Sequence, residues 1–386
     1  MDKKYTALGL MSGTSMDGVD ASIVSSINGI QYDEVFNKYY EYDKDLYQNL
    51  LIIRDKICSS TDLKRFSEEL ETIEKKITLF HAKVVNDINN TIKKTSPIPE
   101  IIGFHGQTIF HNSKKKISVQ LGNGKLLSQL VRKIVVYNFR QNDLQNDGEG
   151  APLTPIFHKS LKEKIFKVRA PLIFVNIGGI TNVTCFVSKD NLDEKMFACD
   201  IGPGNCLIDE WIRKNSKKKF DENGLIAKSG NTDKLILNQS LENFDLTFGN
   251  SLDIKDFDIS FVRGLSLEDG AATVTNFTVE VILNNLRELL KKTKDRFNNH
   301  FTYNFIICGG GRKNNYFVNI LEKKIRLNIQ CDKFQLIDDY GIDGDFVESQ
   351  AFAFIAIRSY LKLPISFPET TGCKVPITGG MIVKNF

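Results

Sequence analysis

The feature that most constrains the fold is a strand, a glycine-rich polar turn and a second strand, which occurs once in each half of the chain. The first copy is "ALGLMSGTSMDGVDASIVSS" at residues 7–26, and the second is "FVNIGGITNVTCFVS" at residues 174–188. Each copy predicts a β-hairpin, because its apolar segments suit strands and its glycines permit a tight turn. The two hairpins predict one α/β unit used twice, although the chain shows no residue-level repeat.

The length of the chain suits two domains. It has 386 residues, of which 41% are hydrophobic and 25% are charged. Two domains of this size each bury an apolar core. We therefore predict two α/β lobes with a central cleft, at residues 1–139 and 140–365, with a hinge near residues 139–170. The tail at about 366–386 is expected to pack back on the first lobe.

Charge and apolar content restrict the partners. Lysine and arginine number 51 and aspartate and glutamate number 47, so the net charge is +4. The lysine runs at 114–116 and 217–219 are typical of solvated loops, which argues against a nucleic-acid partner. No apolar run approaches the ~18 residues of a membrane span, and the apolar start is too short for a signal peptide. With seven cysteines in no CxxC pair, these features predict a cytoplasmic protein with reduced thiols and no membrane partner.

Apolar periodicity predicts alternating strands and helices along the chain. The predicted strands are residues 5–10, 21–26, 34–42, 101–106, 117–122, 134–139, 172–179, 183–188, 196–204 and 304–311. The predicted helices are residues 45–57, 63–94, 126–132, 206–214, 267–292 and 346–361.

The polar turn of the first hairpin has the composition of a phosphate-binding loop. Glycines let backbone N–H groups approach a polyanion and hydroxyls donate to the remaining oxygens, a pattern that fits Gly13, Thr14, Ser15 and Gly18. Asp17 and Asp20 have the wrong charge for bare phosphate, but suit Mg²⁺ or its waters lying between. A tight polar hairpin without a ligand is the alternative.

Two further glycine turns strengthen the phosphate hypothesis. "NIGGITN" at residues 176–182 occupies the matching place in the second half, so facing hairpins from the two lobes would hold the phosphates of a nucleotide. "CGGGRKN" at residues 308–314 follows an apolar strand, and its glycines suit adenosine lying on the backbone. A simple strand-to-helix turn is the alternative there. The chain contains neither a P-loop motif nor a GxGxxG after the first strand, which argues against those nucleotide folds.

Two carboxylates are candidates for proton transfer. Asp200 ends an apolar strand in "FACDIGPGN", and Asn205 in the same segment suits a helix cap. Reactive groups in α/β folds emerge at strand ends, so Asp200 is a candidate general base. The alternative is that it only accepts hydrogen bonds from the turn. Glu348 opens the last helix, where a favourable first-turn charge is the alternative interpretation.

Polar residues after other strands suit a hydroxylated substrate. His105, Gln107 and Thr108 lie together in "GFHGQT" and can hydrogen-bond such a molecule. Arg140 and Asp143 lie in "FRQND", where a substrate clamp and a structural ion pair are both open. The following helix begins at Pro152 or Pro155.

These segments together resemble the anhydro-N-acetylmuramic acid kinases, a bacterial family within the actin, sugar kinase and Hsp70 ATPase superfamily. In family order, the matching segments are "GLMSGTSMDGVD", "GFHGQT", "FRQND", "GEGAPLTPIFH", "NIGGITN", "DIGPGN", "CGGGRKN" and "ESQAFAFIA". The resemblance implies a two-lobed, actin-like ATPase fold of the ribonuclease H-like type. It also implies a homodimer.

The resemblance implies an ATP- and Mg²⁺-dependent reaction on a small amino sugar. Water opens the 1,6-anhydro ring of anhydro-N-acetylmuramic acid while O6 takes the γ-phosphoryl group. The products are N-acetylmuramic acid 6-phosphate and ADP, in murein recycling.

The resemblance also implies roles for individual residues. Asp200 is similar in place to the base that activates the water, and Glu348 falls on the family's glutamate, to which we assign assistance at the sugar. The ATP phosphate loop corresponds to Gly13, Thr14, Ser15, Met16, Asp17, Gly18, Val19 and Asp20, with Asp17 the candidate Mg²⁺ ligand. The other nucleotide-binding candidates are Gly178, Gly179, Thr181, Asn182, Gly202, Gly204, Asn205, Gly309, Gly310 and Gly311.

One segment departs from the family pattern. "NDGEGAPL" carries Asp147 and Glu149 where glycine and glutamine are expected, which puts the sugar contacts of this loop in question. Asp200, the glycine turns and His105 match the family pattern, so nothing in the sequence indicates an inactive enzyme. Two alternatives to the implied function remain open: a kinase of another amino sugar, and a non-catalytic ATP-binding relative of actin or Hsp70.

Overall fold

The computed structural model describes residues 3–92, 97–165, 171–188, 194–244, 251–297 and 301–386, with side chains in the fifth range up to residue 294. The strands are β1 (Lys4–Ser12), β2 (Gly18–Ile27), β3 (Gln31–Glu41), β4 (Ile101–Asn112), β5 (Ile117–Leu121), β6 (Ile134–Tyr137), β7 (Leu172–Ile177), β8 (Ile180–Ser188), β9 (Glu194–Pro203), β10 (Tyr303–Cys308), β11 (Cys331–Leu336) and β12 (Met381–Val383).

The helices alternate with these strands. They are α1 (Lys44–Lys56), α2 (Ser60–Arg65), α3 (Ser67–Ile92), α4 (Gly124–Val131), α5 (Gln141–Gln145), α6 (Pro155–Ile165), α7 (Cys206–Asn215), α8 (Leu225–Ser229), α9 (Lys234–Glu242), α10 (Leu267–Phe297), α11 (Asn315–Asn328), α12 (Val347–Tyr360) and α13 (Pro368–Thr371). In the described part of the chain, no helix combines the length and the apolar character that crossing a membrane demands.

Local sequence explains several helix boundaries. The Asp43 carboxylate accepts a hydrogen bond from the Leu46 amide at 2.8 Å and so starts α1. The predicted helix at 63–94 is two helices, because the chain leaves helical geometry at Phe66. Residues 93 and 94 of that prediction lie outside the described residues.

The chain divides into two compact units, which we call the first unit (Met1–Lys167 with Asp345–Phe386) and the second unit (Val168–Gly344). This division differs from the predicted boundary at residues 139 and 140. Helix α6 packs on β3, and α12 packs on β1, β2 and β4, so both helices belong with the first sheet. Part of the predicted hinge, residues 166–170, lies outside the described residues.

The first unit contains a seven-stranded sheet in the order β12-β6-β4-β1-β2-β3, with β5 paired to β4. Strands β1, β2 and β3 are successively antiparallel, whereas β4 is parallel to β1 and β6 is parallel to β4. The tail, which the sequence analysis assigned to the first lobe, ends in β12, and β12 pairs with β6.

The second unit contains a five-stranded sheet in the order β11-β10-β7-β8-β9. Strands β7, β8 and β9 are successively antiparallel, whereas β10 is parallel to β7 and β11 is parallel to β10. Its apolar core includes Trp211 of α7, Phe277 of α10 and Phe317 of α11.

The two sheets share one topology. In each, three antiparallel strands in sequence are followed by two strands parallel to the first, which is the ribonuclease H-like arrangement. The prediction of one α/β unit used twice is therefore confirmed at the level of topology. Both predicted glycine turns lie between the first and second strands of their sheets, so they occupy equivalent positions.

Candidate functional site

The first glycine turn, residues 13–17, joins β1 to β2. The Met16 amide donates to the Gly13 carbonyl at 3.2 Å, and Met16 has a left-handed backbone with φ of 58°. A residue other than glycine rarely adopts this conformation, and here the buried Met16 side chain packs into the core beneath the turn. Thr14 and Ser15 are exposed, so the turn presents hydroxyl groups to solvent.

Groups on neighbouring segments of the chain hold this turn in place. The Tyr42 amide donates to the Asp17 carbonyl at 2.8 Å, and the Tyr42 hydroxyl lies 2.8 Å from Ser12 Oγ. Gln107 of β4 donates from Nε2 to the Gly13 carbonyl at 2.9 Å. Gln107, predicted as a substrate contact, is therefore a neighbour of the turn.

The two aspartates of this region have different surroundings. Asp17 is half-buried, and its Oδ1 accepts a hydrogen bond from Ser15 Oγ at 2.6 Å. Asp20 lies within β2, opposite Met11 of β1 and Tyr39 of β3. No group of three or more histidine, cysteine or acidic side chains that could hold a metal occurs among the described residues. Asp17 is thus a single carboxylate beside a turn rather than part of a preformed acidic cluster.

The other members of the first motif have structural positions. Val19 is buried in β2. Gly18 starts the same strand, and a Cβ there would overlap the Tyr40 carbonyl and the Tyr39 ring of β3. The close approach of β3 therefore requires glycine at this position.

The second glycine turn, residues 178–179, joins β7 to β8 and contacts the chain after β9. The amides of Gly204 and Asn205 donate to the carbonyls of Gly179 and Gly178, each at 2.8 Å. A Cβ on Gly204 would overlap the Gly178 carbonyl, so only glycine permits this approach. Thr181 is buried and donates from Oγ1 to the Pro203 carbonyl at 3.0 Å.

The third glycine turn, residues 309–311, lies against the end of β7. Gly309 has φ of 79°, and a Cβ there would overlap Asn176 and the Ile177 carbonyl. A Cβ on Gly311 would overlap the Ile177 side chain and come within 3.0 Å of Asn205 Oδ1. The structure therefore brings the second and third glycine turns together with Asn205.

A buried guanidinium fixes the third turn. Arg312 is 4% exposed and donates to Asp338 twice, from Nε at 2.6 Å and from Nη2 at 2.9 Å. Its Nη1 also donates to the Gly309 carbonyl at 3.2 Å. Burial acts to raise the pKa of Asp338, but the hydrogen bonds and charge of Arg312 leave that pKa below its usual value. The third turn is thus tied to Asp338 and to its own backbone through one side chain.

Asp200 lies in β9, three residues before the strand ends. Its carboxylate is 8% exposed, and Oδ2 accepts a hydrogen bond from the Leu252 amide at 2.9 Å. Gly202, two residues later, has φ of 148°, and a Cβ there would come within 2.9 Å of Val281 on α10. The glycine thus lets the β9 backbone lie against α10 immediately after Asp200.

A row of polar side chains crosses the sheet next to Asp200. Asn182 pairs with Asp200 on one side and with Asn176 on the other, so all three side chains lie on one sheet face. The buried Oδ1 of Asn182 has no hydrogen-bond partner among the described residues. Such an amide beside a carboxylate provides an acceptor for a water or hydroxyl group.

Glu348 lies in the first turn of α12 and is half-buried. Its helix packs unusually close to the sheet: a Cβ on Gly9 of β1 would overlap the Ser349 carbonyl. A Cβ on Gly103 of β4 would likewise overlap the Phe352 carbonyl. These two glycines set the depth of α12 and therefore the height of Glu348 above the sheet.

His105 lies in β4 and is paired through both ring nitrogens. Nδ1 is 2.7 Å from the Gly106 carbonyl and therefore donates to it, while Nε2 accepts from Arg140 Nη2 at 3.0 Å. Burial, followed by the charge of Arg140, lowers the pKa of His105 to about 3. The neutral ring thus orients Arg140. Thr108 is half-buried, with Oγ1 3.4 Å from Gln120 Nε2.

Asp143 is a buried acceptor for two structural groups. Its Oδ2 accepts from the Gly150 amide at 2.6 Å, and its Oδ1 accepts from Thr371 Oγ1 at 2.6 Å. Arg140 donates from Nη1 to the Gly150 carbonyl at 2.8 Å. Arg140 and Asp143 therefore hold the two sides of the loop at residue 150. This loop contains Asp147, which pairs with Lys116 and Lys374.

A family model described as anhydro-N-acetylmuramic acid kinase matches residues 5–385. The chain belongs to this family. It is 51% identical over 389 residues to the anhydro-N-acetylmuramic acid kinase of Pelagibacter ubique (strain HTCC1062), with 100% of both chains covered. It is 35% identical to that of Zymomonas mobilis subsp. mobilis (strain ATCC 31821 / ZM4 / CP4), covering 97% of this chain and 99% of the relative.

Solved structures outside the anhydro-N-acetylmuramic acid kinase family match weakly. A hexokinase from Schistosoma mansoni complexed with glucose has a TM-score of 0.42 at 10% identity, covering 91% of this chain and 85% of that one. A glucokinase from Balamuthia mandrillaris in complex with glucose has a TM-score of 0.38 at 11% identity, covering 92% and 94%. Neither likeness carries a functional assignment.

Several structural partners of the family motifs were absent from the sequence analysis. Tyr42 and His81 support the first turn, and Asp338 supports the third through Arg312. Nothing local in the sequence marks them, because each acts across 25 or more residues. The row from Asn176 to Asp200 had a usable signal, since "NIGGITN" is symmetric about its turn and pairs its two asparagines.

Proposed function

We propose that the chain is an ATP-dependent kinase that opens the 1,6-anhydro ring of anhydro-N-acetylmuramic acid and phosphorylates O6. The observation that carries this proposal is the placement of the family's glycine motifs at equivalent turns of two sheets with the same topology. The product is N-acetylmuramic acid 6-phosphate, and the cell uses the reaction in murein recycling.

In this proposal the three glycine turns bind the nucleotide. The first turn offers backbone amides and the hydroxyls of Thr14 and Ser15 to phosphate oxygens. The second and third turns form a surface without side chains, which suits close contact with the rest of the nucleotide. A half-buried carboxylate beside exposed hydroxyls fits a hard cation, so Asp17 is assigned to Mg²⁺, directly or through water. Bound Mg²⁺ would neutralise charge on the phosphates.

Asp200 is assigned as the general base. It removes a proton from a water molecule whose oxygen forms the new bond to the anomeric carbon. The bond between C1 and O6 breaks, and the electron pair stays on O6, which attacks the γ-phosphorus. The bond from that phosphorus to the bridging oxygen breaks, and ADP leaves. The hydrogen bond from the Leu252 amide fixes the carboxylate in one orientation, as general-base catalysis requires.

The sugar contacts are assigned to the first unit. Glu348, in the first turn of α12, is proposed to assist at the sugar. Because both nitrogens of His105 are engaged, we assign His105 to orienting Arg140 rather than to direct contact. Gln107, Thr108 and Asp143 remain proposed parts of the same region.

Incubation of the purified protein with γ-labelled ATP and a panel of sugars tests the reaction. With the anhydro sugar as substrate, we expect labelled N-acetylmuramic acid 6-phosphate and one ADP per sugar consumed, and with N-acetylmuramic acid or N-acetylglucosamine as substrate we expect no transfer. Label only in the open sugars would identify another amino sugar kinase. Nucleotide binding without transfer to any sugar would identify a non-catalytic ATP-binding protein.

The Asp200→Asn substitution tests the base. We expect turnover to fall by about 10²- to 10⁴-fold, with nucleotide affinity within about twofold of the wild type. Asp332→Asn, at an exposed position of β11, is the matched control and should keep full activity. Retained turnover in Asp200→Asn would remove Asp200 from the mechanism.

We also propose a cytoplasmic homodimer. Light scattering on the purified protein measures its mass directly, and fractionation of cells measures its compartment. A monomer, or a membrane-bound protein, would contradict this part of the proposal.

A further inference from the structure

Tyr42 bridges the two ends of the first glycine turn. Its phenolic oxygen lies 2.8 Å from Oγ of Ser12, the last residue of β1, and its amide donates to the Asp17 carbonyl at 2.8 Å. The Tyr42 side chain is 4% exposed and packs edge-on against Phe80, with ring centroids 4.9 Å apart. One residue therefore fixes the distance that residues 13–16 must span.

The hydroxyl of Ser12 extends this network to His81. His81 is fully buried, with Nε2 3.4 Å from Ser12 Oγ and Nδ1 2.8 Å from the Ile77 carbonyl oxygen. A carbonyl oxygen only accepts, so Nδ1 carries the proton. Burial lowers the pKa of His81 to about 4 despite the opposing effect of this hydrogen bond. The ring is therefore neutral at pH 7, and its Nε2 accepts.

The direction of every hydrogen bond in the network follows from this tautomer. Ser12 donates its single hydroxyl hydrogen to His81, which leaves the Ser12 oxygen as the acceptor for the Tyr42 hydroxyl. The donors run from Tyr42 through Ser12 and His81 to Ile77. Because Ser12 and His81 are buried, losing the Tyr42 hydroxyl leaves a lone pair on Ser12 without a donor.

We propose that Tyr42 is a positioning residue, which holds the first glycine turn in the conformation that binds nucleotide phosphates. This inference rests on the proposed function, which assigns phosphates to that turn. Tyr42 acts by fixing the distance between Ser12 and Asp17. The Ser12 hydroxyl donates to His81, so its role is to stabilise the turn and not to bind phosphate.

The Tyr42→Phe variant removes the hydroxyl and keeps the ring against Phe80. The matched control is Tyr32→Phe, a buried tyrosine of β3 whose ring packs on Phe157 at 4.8 Å, away from the turn. Hydrogen exchange of the apo protein compares the two variants. We expect amides of residues 12–18 to exchange about tenfold faster in Tyr42→Phe only. Equal exchange in both variants and the wild type would overturn the proposal.

Steady-state kinetics test the link to the nucleotide. We expect Tyr42→Phe to raise KM for ATP about tenfold, while KM for the sugar stays within about twofold. A general loss of structure would change both constants together, or lower only the fraction of active protein, and would overturn the positioning role. Tyr32→Phe should leave both constants unchanged.

A double-mutant cycle tests whether Tyr42 and Ser12 act through the same hydrogen-bond network. Ser12→Ala should raise KM for ATP as Tyr42→Phe does, and the double variant should be no worse than the poorer single variant. If the effects of the two substitutions on KM for ATP add, Tyr42 and Ser12 act independently, and the proposed network is wrong.

Two measurements separate this inference from the proposed function. If the wild type phosphorylates no sugar, the proposed function fails, and binding of a non-hydrolysable ATP analogue then replaces the kinetics. A tenfold weaker binding of that analogue by Tyr42→Phe supports the inference, and unchanged binding overturns it.

Discussion

The two hairpin turns occupy the same place in two sheets of one topology, yet different chemistry holds them. The first turn depends on side chains: Gln107 donates from Nε2 to the Gly13 carbonyl, and the Tyr42 hydroxyl, Ser12 and His81 form a buried network at its start, while the Tyr42 amide adds a backbone hydrogen bond to the Asp17 carbonyl. The second turn is held by backbone amides of Gly204, Asn205 and Cys206, which donate to the carbonyls of residues 178 and 179.

This difference predicts different weaknesses. A turn held by hydroxyl and amide side chains is weakened when one polar group is removed, because its partner stays buried without a hydrogen bond. A turn held by direct contact between two backbone segments is weakened when a glycine in the contact gains a Cβ, because that atom forces the segments apart. Equivalent topology therefore does not imply equivalent tolerance to mutation.

Acid should affect the two units unequally, and this is the largest effect we expect. Four histidines lie in the first unit: His81, His105, His111 and His158. The described residues of the second unit contain no histidine. Burial lowers all four pKa values, to about 4, 3, 4 and 3. Between pH 6.5 and 4 the unfolded chain binds more protons, so stability present above pH 6.5 is lost as the pH falls. Each group accounts for about 2 kcal/mol at pH 5.

Hydrogen exchange at pH 7 and pH 5, corrected for intrinsic rates, measures this loss in each unit. We expect protection to fall mainly in the first unit. The His158→Gln variant should show a shallower pH dependence by about 2 kcal/mol at pH 5. An equal loss in both units would contradict the assignment to the histidines.

Gly204→Ala should cause the next largest effect. The new Cβ would overlap the Gly178 carbonyl, so the turn must move, and we expect a loss of about 3 kcal/mol in unfolding free energy. The control is Gly310→Ala, because no heavy atom lies within 4 Å of a Cβ there. Denaturant unfolding with fluorescence of Trp211 measures both. Similar losses in the two variants would show that overlap at residue 204 is not the cause.

Arg312→Lys should weaken the third turn by about 2 kcal/mol. Lysine keeps the charge but cannot make the paired hydrogen bonds to Asp338 or reach the Gly309 carbonyl in the same geometry. Unfolding free energy and affinity for ADP should fall together. Affinity unchanged in a destabilised variant would separate the third turn from nucleotide binding.

Lys374→Met should cause the smallest effect. Lys374 pairs with Asp147 at 2.5 Å on the surface, and its loss should shift the thermal midpoint by less than about 2 °C. The paired lysines lower the pKa of Asp147 to about 2, so its carboxylate stays charged at any pH above 4. In 0.5 M salt we expect the shift to vanish. A shift that survives high salt would indicate packing rather than charge.

The hairpins and most strands were predictable because their signals are local. Alternating apolar residues and glycine turns lie within a dozen positions of one another. The helix at 315–328 and the strand at 331–336 were missed, although Asn314 caps the helix by accepting from the Phe317 amide. The predicted cap at Asn205 forms no side-chain hydrogen bond, because its backbone is helical rather than extended.

The division into units could not be predicted because α12 is apolar on nearly all sides. Such a helix shows that it is buried but not against which sheet. The residues that show where α12 packs are Gly9 and Gly103, which let it approach the first sheet but lie more than 200 residues before it in the sequence. Pairs such as Arg312 with Asp338 could not be predicted either, because the two residues are distant in sequence.

Helix α12 has a consequence for how the protein is made. It covers β1, β2 and β4, yet a ribosome synthesises it only after the entire second unit. Until residue 345 emerges, the nascent chain carries a sheet with one apolar face uncovered. Translation therefore delivers the second unit as a contiguous piece that can fold early, whereas the first unit waits for the final tenth of the polypeptide.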